Sequence, residues 1–220
     1  MVSRETPGPA PDLPDWLVGR VDLLTEFTGL LAGPGVDRGL IGPREVPRLW
    51  TRHVLNCAVV AAPEAELVPA DSAVGDVGSG AGLPGIVWAI ARPDVRMVLV
   101  EPLLRRSTFL QEAVDTLGLG DRVVVWRGRA EEALGVVPAL DVVTARAVAP
   151  LTRLLGWTVP LLRTGGRLIA LKGESAQAEV AEAGAAIAEW HLQDVRVERL
   201  AVGAEETPTT VIVGVRGAAD

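Results

Sequence analysis

The 220-residue chain contains no tyrosine, one cysteine (Cys57) and one lysine (Lys172). A lone cysteine excludes an internal disulfide and any cysteine-rich zinc site. No apolar run reaches the roughly 18 residues that a membrane span needs. The N-terminus also lacks a basic segment followed by an apolar stretch, the pattern of a secretory signal. The expectation is a cytoplasmic protein with no membrane partner and no metal. Positive charge is short as well, with a net charge of −7. That balance excludes a general binder of nucleic acid, whose affinity for a polyanion needs a positive field. It leaves room for RNA held by a local arginine patch. The shortage of lysine and tyrosine reads as nucleotide composition of the coding gene, and no function is drawn from it.

Hydrophobic residues make up 49% of the chain, enough for a substantial core, and the length suits one α/β domain with a small helical appendage. The most informative segment is Val74-Gly75-Asp76-Val77-Gly78-Ser79-Gly80-Ala81-Gly82-Leu83-Pro84-Gly85. It reads as a strand ending in a glycine turn that opens into an apolar helix. Gly78, Gly80 and Gly82 let the backbone bend sharply and a ligand approach with no Cβ in the way. A Walker loop needs Gly-Lys-Ser/Thr at its end, and none is there. Gly80-x-Gly82-x-x-Gly85 matches the dinucleotide pattern, which by itself is a weak signal. Asp76, two residues ahead of the first turn glycine, tilts the choice. A carboxylate there repels a pyrophosphate and attracts an ammonium group directly or through water. Glu101, at the end of the next apolar strand, stands where an acid accepts hydrogen bonds from ribose hydroxyls. The cofactor that satisfies both acids is S-adenosyl-L-methionine. A nicotinamide-dependent oxidoreductase remains the alternative.

Residues 1–11 are Pro-rich and polar and are expected to form a disordered tail. Residues 12–70 read as a helical extension, with one helix from Asp12 to Leu31 broken by Gly33-Pro34-Gly35 and a second from Pro43 to Ala61. Residues 71–220 read as the cofactor-binding domain. Strands are expected near 73–77, 96–101, 122–126, 140–145, 166–172, 194–200 and 210–215, and helices near 83–91, 103–117, 149–162 and 174–190. Strand–helix alternation in such short units implies a parallel sheet with right-handed crossovers. The last two strands are joined through Gly203-Ala204-Glu205-Glu206 without a helix and are expected to pair antiparallel. The fold class is therefore α/β, a Rossmann-like class I methyltransferase sheet that is mostly parallel, with a C-terminal antiparallel hairpin and an N-terminal helical extension.

In such a sheet the ligand lies beyond the carboxyl ends of the strands. Arginines fall there: Arg127 and Arg129 after the third strand, Arg146 at the end of the fourth. Arg44, Arg48, Arg52 and His53 recur near one face of the second expected helix, either as a solvated stripe or as a phosphate-contacting face. What is missing from these strand ends matters equally. After the fourth strand the chain reads Thr144-Ala145-Arg146-Ala147, not the Asn/Asp-Pro-Pro-aromatic run that orients an exocyclic amine. Cys57 lies upstream in a helix and reads as packing, not as the nucleophile that pyrimidine carbon methylation needs. A ring nitrogen such as guanine N7 has a free lone pair and carries no proton at neutral pH, so its methylation needs alignment and little else.

Several segments together resemble the RsmG (GidB) methyltransferases: Arg52-His53-Val54-Leu55-Asn56-Cys57, the run Asp76 to Gly85, Arg105-Arg106-Ser107-Thr108-Phe109-Leu110, Arg129-Ala130-Glu131-Glu132, Thr144-Ala145-Arg146-Ala147 and Ala170-Leu171-Lys172-Gly173. They follow the family in order and spacing over roughly residues 12 to 215. The resemblance implies S-adenosyl-L-methionine-dependent methylation of N7 of one guanosine in 16S ribosomal RNA; naked RNA and a small-subunit particle both remain open as the partner, and the acidic net charge favours the particle. It implies that Gly78 and Leu83 line the cofactor loop beside Asp76, Gly80, Gly82 and Glu101, and that Ala130 and Glu131 meet the adenine. By the same resemblance Arg146 sits at the junction of cofactor and substrate, binding the one and acting on the other, and Arg129 is a contact for the RNA or for the cofactor carboxylate. These two are the catalytic candidates, and Arg52, His53, Arg105 and Lys172 are the candidate RNA contacts. Two departures stand out. The family's His-Ile-Leu-Asp-Ser is His53-Val54-Leu55-Asn56-Cys57 here, and an Arg-His pair seen before the last strand in some members is replaced by Thr207-Pro208-Thr209-Thr210. A third reading, a ribosome-binding module without activity, shares the same fold.

Overall fold

A computed structural model of the protein describes residues 6–201 and 208–218. Seven strands form one sheet in the order β3-β2-β1-β4-β5-β7-β6. They are β1 (Ala73–Val77), β2 (Arg96–Val100), β3 (Val123–Trp126), β4 (Leu140–Arg146), β5 (Leu162–Lys172), β6 (Leu192–Leu200) and β7 (Thr209–Arg216). β1 pairs in parallel with β2 and β4, β2 with β3, and β4 with β5. β7 runs against both β5 and β6. The order reverses between β1 and β4, so a crevice opens beyond their carboxyl ends.

Alternation along the strands divides the apolar residues between two cores. Val142, Ile169, Leu171, Val211 and Val213 face one side; Val143, Leu168, Ala170 and Ile212 face the other. A period of two is what a pleated strand buried on both faces dictates. Helices α1 (Asp15–Val18), α2 (Val21–Leu30) and α3 (Asn56–Ala58), with α4 (Gly85–Ala91) and α5 (Leu104–Thr116), cover the first face. The second is covered by α6 (Ala130–Ala133), α7 (Leu151–Thr158), α8 (Ala176–Glu182) and α9 (Gly184–Glu189). The N-terminal segment thus shares a core with α4 and α5. Trp88, fully buried on α4, ties the two by donating its indole N–H to the Cys57 carbonyl at 2.8 Å.

The strands lie where alternation placed them, apart from β5, which begins at Leu162 and not near 166. Its early start pairs Leu140 with Leu162 before an irregularity shifts the register to Val142–Arg167. The helical expectations need more correction. The expected helix from Asp12 to Leu31 is two, α1 and α2, parted at Gly19-Arg20, and Gly33-Pro34-Gly35 does not end the helical path that follows. The three residues sit in a π-type turn, Leu31–Gly35, whose wider spacing tolerates a proline without an N–H. The chain turns instead at Gly39, with φ of +66°. The expected helix from Pro43 to Ala61 is a series of short turns: 3₁₀ over Pro43–Arg48, π over Leu49–Leu55, α3, and 3₁₀ over Val59–Ala61. Pro47 cannot supply an α-helical bond, and the changing pitch turns His53 inward while Arg44, Arg48 and Arg52 stay exposed. The expected helix over 149–162 ends at Thr158 and passes through a 3₁₀ turn into β5. The last expected helix, 174–190, is two helices that meet at Ala183, next to Gly184, a poor helix former. Residues 1–5 of the expected tail and the Gly203–Glu206 connection lie outside the described residues; 6–11 carry no helix or strand.

Candidate functional site

A cavity of about 580 Å³ opens beyond β1, β2 and β4. Its floor is the glycine turn, its sides are Glu101, Leu103 and Arg106 on one flank and Arg129, Ala130 and Glu131 on another, and Arg146, Ala147 and Val148 close the β4 side. The size is that of a small-molecule site. Gly78 has φ of +73°, and a Cβ on it would meet Val148 Cγ2 at 2.8 Å, so a side chain here is barred twice over.

The hydrogen bonds of the turn decide what it can hold. The Gly78 and Ser79 N–H groups both donate to the Val100 carbonyl, at 2.8 and 3.2 Å. Gly82 N–H donates to Ser79 O at 2.7 Å. Gly80 N–H donates to Glu101 Oε2 at 3.0 Å, and Gly85 N–H, at the start of α4, donates to Asp76 Oδ2 at 3.0 Å. A phosphate-binding turn leaves its N–H groups free to point at the anion. Here two carboxylates, the Val100 carbonyl at the end of β2 and the turn's own Ser79 carbonyl accept from the N–H groups of Gly78, Ser79, Gly80, Gly82 and Gly85. The turn therefore presents negative charge, which suits a cationic ligand.

Glu101 is buried yet lines the cavity, and its second oxygen accepts from Leu103 N–H at 3.0 Å. A carboxylate has about four lone-pair sites, so both oxygens retain capacity for ribose hydroxyls. Asp76 differs from expectation in its placement. It does not line the cavity but is fully buried beneath the turn. Its Oδ2 braces Gly85, its Oδ1 has no partner, and neither does the hydroxyl of Thr144, its register neighbour on β4. Burial pushes the Asp76 carboxyl up to about 7. An orphaned buried oxygen beside the turn fits a ligand ammonium reached through water. The residues present thus suit S-adenosyl-L-methionine: Glu101 for the ribose, Asp76 for the amino group, and Ala130 and Glu131 for the adenine end.

Other residues singled out in the sequence separate into two groups. Gly78, Gly80, Leu83, Glu101, Arg129, Ala130, Glu131 and Arg146 all line the cavity. Gly82 does not; its φ is +85° and it lies against Ile86, so it shapes the turn from behind. Arg52 and Arg105 are exposed and outside the cavity wall. Lys172, expected to touch RNA, has only 8% of its side chain exposed. Its ammonium donates to Ala149 O and Glu179 Oε2, each at 2.7 Å. It braces the end of β5 against α8 and has no free ammonium to offer a phosphate. His53, also expected at the RNA, has both ring nitrogens engaged: Nε2 with Glu45 Oε2 at 3.0 Å and Nδ1 with Arg146 Nη2 at 2.9 Å. Arg146 Nη1 also donates to Cys57 Sγ at 3.6 Å. Sequence reading passed over Glu45 altogether. A carboxylate eight residues ahead of His53 in a segment of mixed pitch carries no periodic signal. Among the described residues no group of three or more His, Cys, Asp or Glu side chains is placed to hold a metal ion, and no helix is long and apolar enough to cross a membrane.

Comparison with known proteins agrees with this geometry. A protein from Salinispora arenicola, named Ribosomal RNA small subunit methyltransferase G, is 56% identical over 198 residues, covering 88% of this chain and 80% of its own. Among solved structures, cofactor-bound Rv0187 from MTB superposes with a TM-score of 0.59 at 19% identity, over 94% of this chain and 99% of its own. A SAM-dependent O-methyltransferase from Thermotoga maritima gives 0.58 at 15%, over 90% and 72%. Likeness at such low identity shows the shared Rossmann-like class I fold. The profile of one family, described as rRNA small subunit methyltransferase G, matches residues 20–207. With most of the chain matched, the protein belongs to the rRNA small subunit methyltransferase G (GidB) family of methyltransferase enzymes.

Proposed function

We propose that this chain transfers the methyl group of S-adenosyl-L-methionine to N7 of one guanosine in 16S ribosomal RNA, acting in the cytoplasm on a small-subunit particle. The observation that carries the cofactor is the glycine turn, whose N–H donors are taken by Asp76, Glu101 and backbone carbonyls. That arrangement disfavours a pyrophosphate and with it the nicotinamide alternative. Family membership supports the RNA substrate.

S-adenosyl-L-methionine bound in the cavity would supply a sulfonium methyl carbon open to attack by a lone pair: the N–CH3 bond would form as the S–CH3 bond breaks, its electron pair going to sulfur as a neutral thioether leaves and the positive charge passes to the purine. The chain's own residues supply alignment, because N7 has no proton to remove. Glu101 holds the ribose end and Ala130 and Glu131 the adenine end. Arg146 stands at the rim of the cavity, and a guanidinium can only donate. It can grip O6 of the target base or a phosphate oxygen and leave the N7 lone pair free. Arg129, exposed at the opposite wall, is placed for the RNA or for the cofactor's carboxylate. The negative net charge favours a substrate that offers additional contacts, hence a particle bearing protein.

Calorimetry with S-adenosylhomocysteine and with NAD tests the cofactor: binding of the first alone is expected, and tight binding of NAD alone overturns the reading. Mass spectrometry of unmodified small-subunit particles treated with the enzyme and labelled cofactor tests the target, with a single 7-methylguanosine expected. Arg146→Ala should lower transfer at least a hundredfold while the fold persists; unchanged transfer removes Arg146 from the mechanism.

A further inference from the structure

Arg146 does not hold its place alone. With two neighbours it forms a chain of three side chains from three parts of the sequence: Glu45 in the 3₁₀ turn, His53 in the π turn and Arg146 at the end of β4. The chemistry of the chain has one consistent protonation. Arg146 can only donate, so His53 Nδ1 at 2.9 Å must be the bare, accepting nitrogen. The ring proton then sits on Nε2 and is given to Glu45 Oε2 at 3.0 Å. A carboxylate on one nitrogen of an imidazole fixes tautomer and ring orientation at the other.

We propose that Glu45 and His53 are positioning residues: Glu45 fixes the proton on His53 Nε2, and the bare Nδ1 anchors the Arg146 guanidinium at the cavity wall. The assignment rests on the reading of Arg146 as the group that grips the target nucleotide. It gives His53 an inward role in place of direct contact with RNA, while its neighbour Arg52 stays exposed.

The surroundings favour this arrangement. Burial holds the His53 imidazole below its ordinary range, helped by the Arg146 charge and opposed by Glu45. Arg52 is the other cation acting on the ring, and Arg48 lies 3.9 Å from Glu45 Oε1. The hydrogen bond from His53 holds the Glu45 carboxyl below its usual value, so it stays an acceptor at neutral pH. On the far side of Arg146, burial pushes the Cys57 thiol up to about 11, which keeps it neutral. Protonation of His53 removes the only acceptor that Nη2 has on the ring and sets an imidazolium against a guanidinium. Arg146 is then released from the wall, and transfer should fall on the acid side, at a pH below the ordinary imidazole midpoint.

The chain has only two histidines, so ¹⁵N-histidine NMR resolves His53 with His191 as an internal control. The expected spectrum at pH 8 has His53 protonated on Nε2 and bare on Nδ1. Arg146→Ala, by deleting a cation, should move the His53 midpoint to higher pH and leave His191 unchanged. In methylation assays on small-subunit particles, Glu45→Ala should lower kcat about tenfold with KM for the particle within twofold. Glu45→Gln, which can still accept from Nε2–H, should restore most of kcat at pH 8. It should also shift the acid limb to lower pH, because the anion that raised the His53 midpoint is gone. A His53 ring protonated on Nδ1 at pH 8 overturns the proposal, as does a Glu45→Ala enzyme with unchanged kcat. So does a Glu45→Gln enzyme whose acid limb does not move. The NMR arm needs no substrate, so it stands even if the particle is not methylated, an outcome that would fail the proposed function instead.

Discussion

Asp76 is the residue whose identity was legible and whose placement was not. Its position ahead of the glycine turn announced a carboxylate at a cationic ligand, and the fold sets it one layer deeper, against Gly85. Its carboxyl midpoint, up to about 7 against an ordinary 3.8, has a definite sign for stability. Between about pH 4 and pH 7 the folded chain holds a proton that the unfolded chain has released. Stability from this group is therefore greatest at low pH and is lost as pH rises through 7. Denaturant titrations from pH 5 to 8 should show that decline, and Asp76→Asn should flatten it; an equal slope in both proteins refutes the assignment. A ligand ammonium near the unpartnered Oδ1 pulls the midpoint down. Binding of S-adenosylhomocysteine at pH 7 should thus release a proton, read as a dependence of the calorimetric heat on buffer ionisation enthalpy. No such dependence would separate Asp76 from the ligand.

At the level of elements, the junction of β1, the glycine turn and α4 is set by close approach. A Cβ on Gly85 would lie 2.7 Å from Asp76 Oδ2 and press on Leu99. Gly85→Ala should cost about 1–3 kcal/mol through overpacking, measured as a shift in the denaturant midpoint. An unchanged midpoint would mean that α4 can slide on β2. The central strands were readable because burial on both faces makes them nearly unbroken apolar runs, whereas the edge strands β3 and β6 leave part of their residues exposed, and the short connections fixed the parallel order. The segment from Leu31 to Ala61 was not readable. Its prolines and mixed turns satisfy burial of Leu49, Trp50, Val54 and Leu55 without one helical period. That same irregularity turns His53 toward Arg146.

Over the whole molecule, a chain of net charge −7 must bind a polyanion through a few exposed arginines. Arg52 is exposed, whereas Lys172 is enclosed by Ala149 and Glu179. Arg52→Ala should reduce the salt dependence of particle binding by about one unit of slope in a log–log plot. Lys172→Ala should leave that slope alone and lower thermal stability. A reversal of the two effects would place the lysine, and not the arginine, at the RNA. The sequence by itself determined the sheet, the glycine turn with its two acids and the family, because these depend on local period, turn chemistry and spacing along the chain. Only the tertiary structure decided that Asp76 lies beneath the turn, that Lys172 faces inward and that Glu45, His53 and Arg146 meet. Those outcomes depend on which side chains distant in sequence must share a desolvated space and satisfy one another there, and no local pattern encodes that.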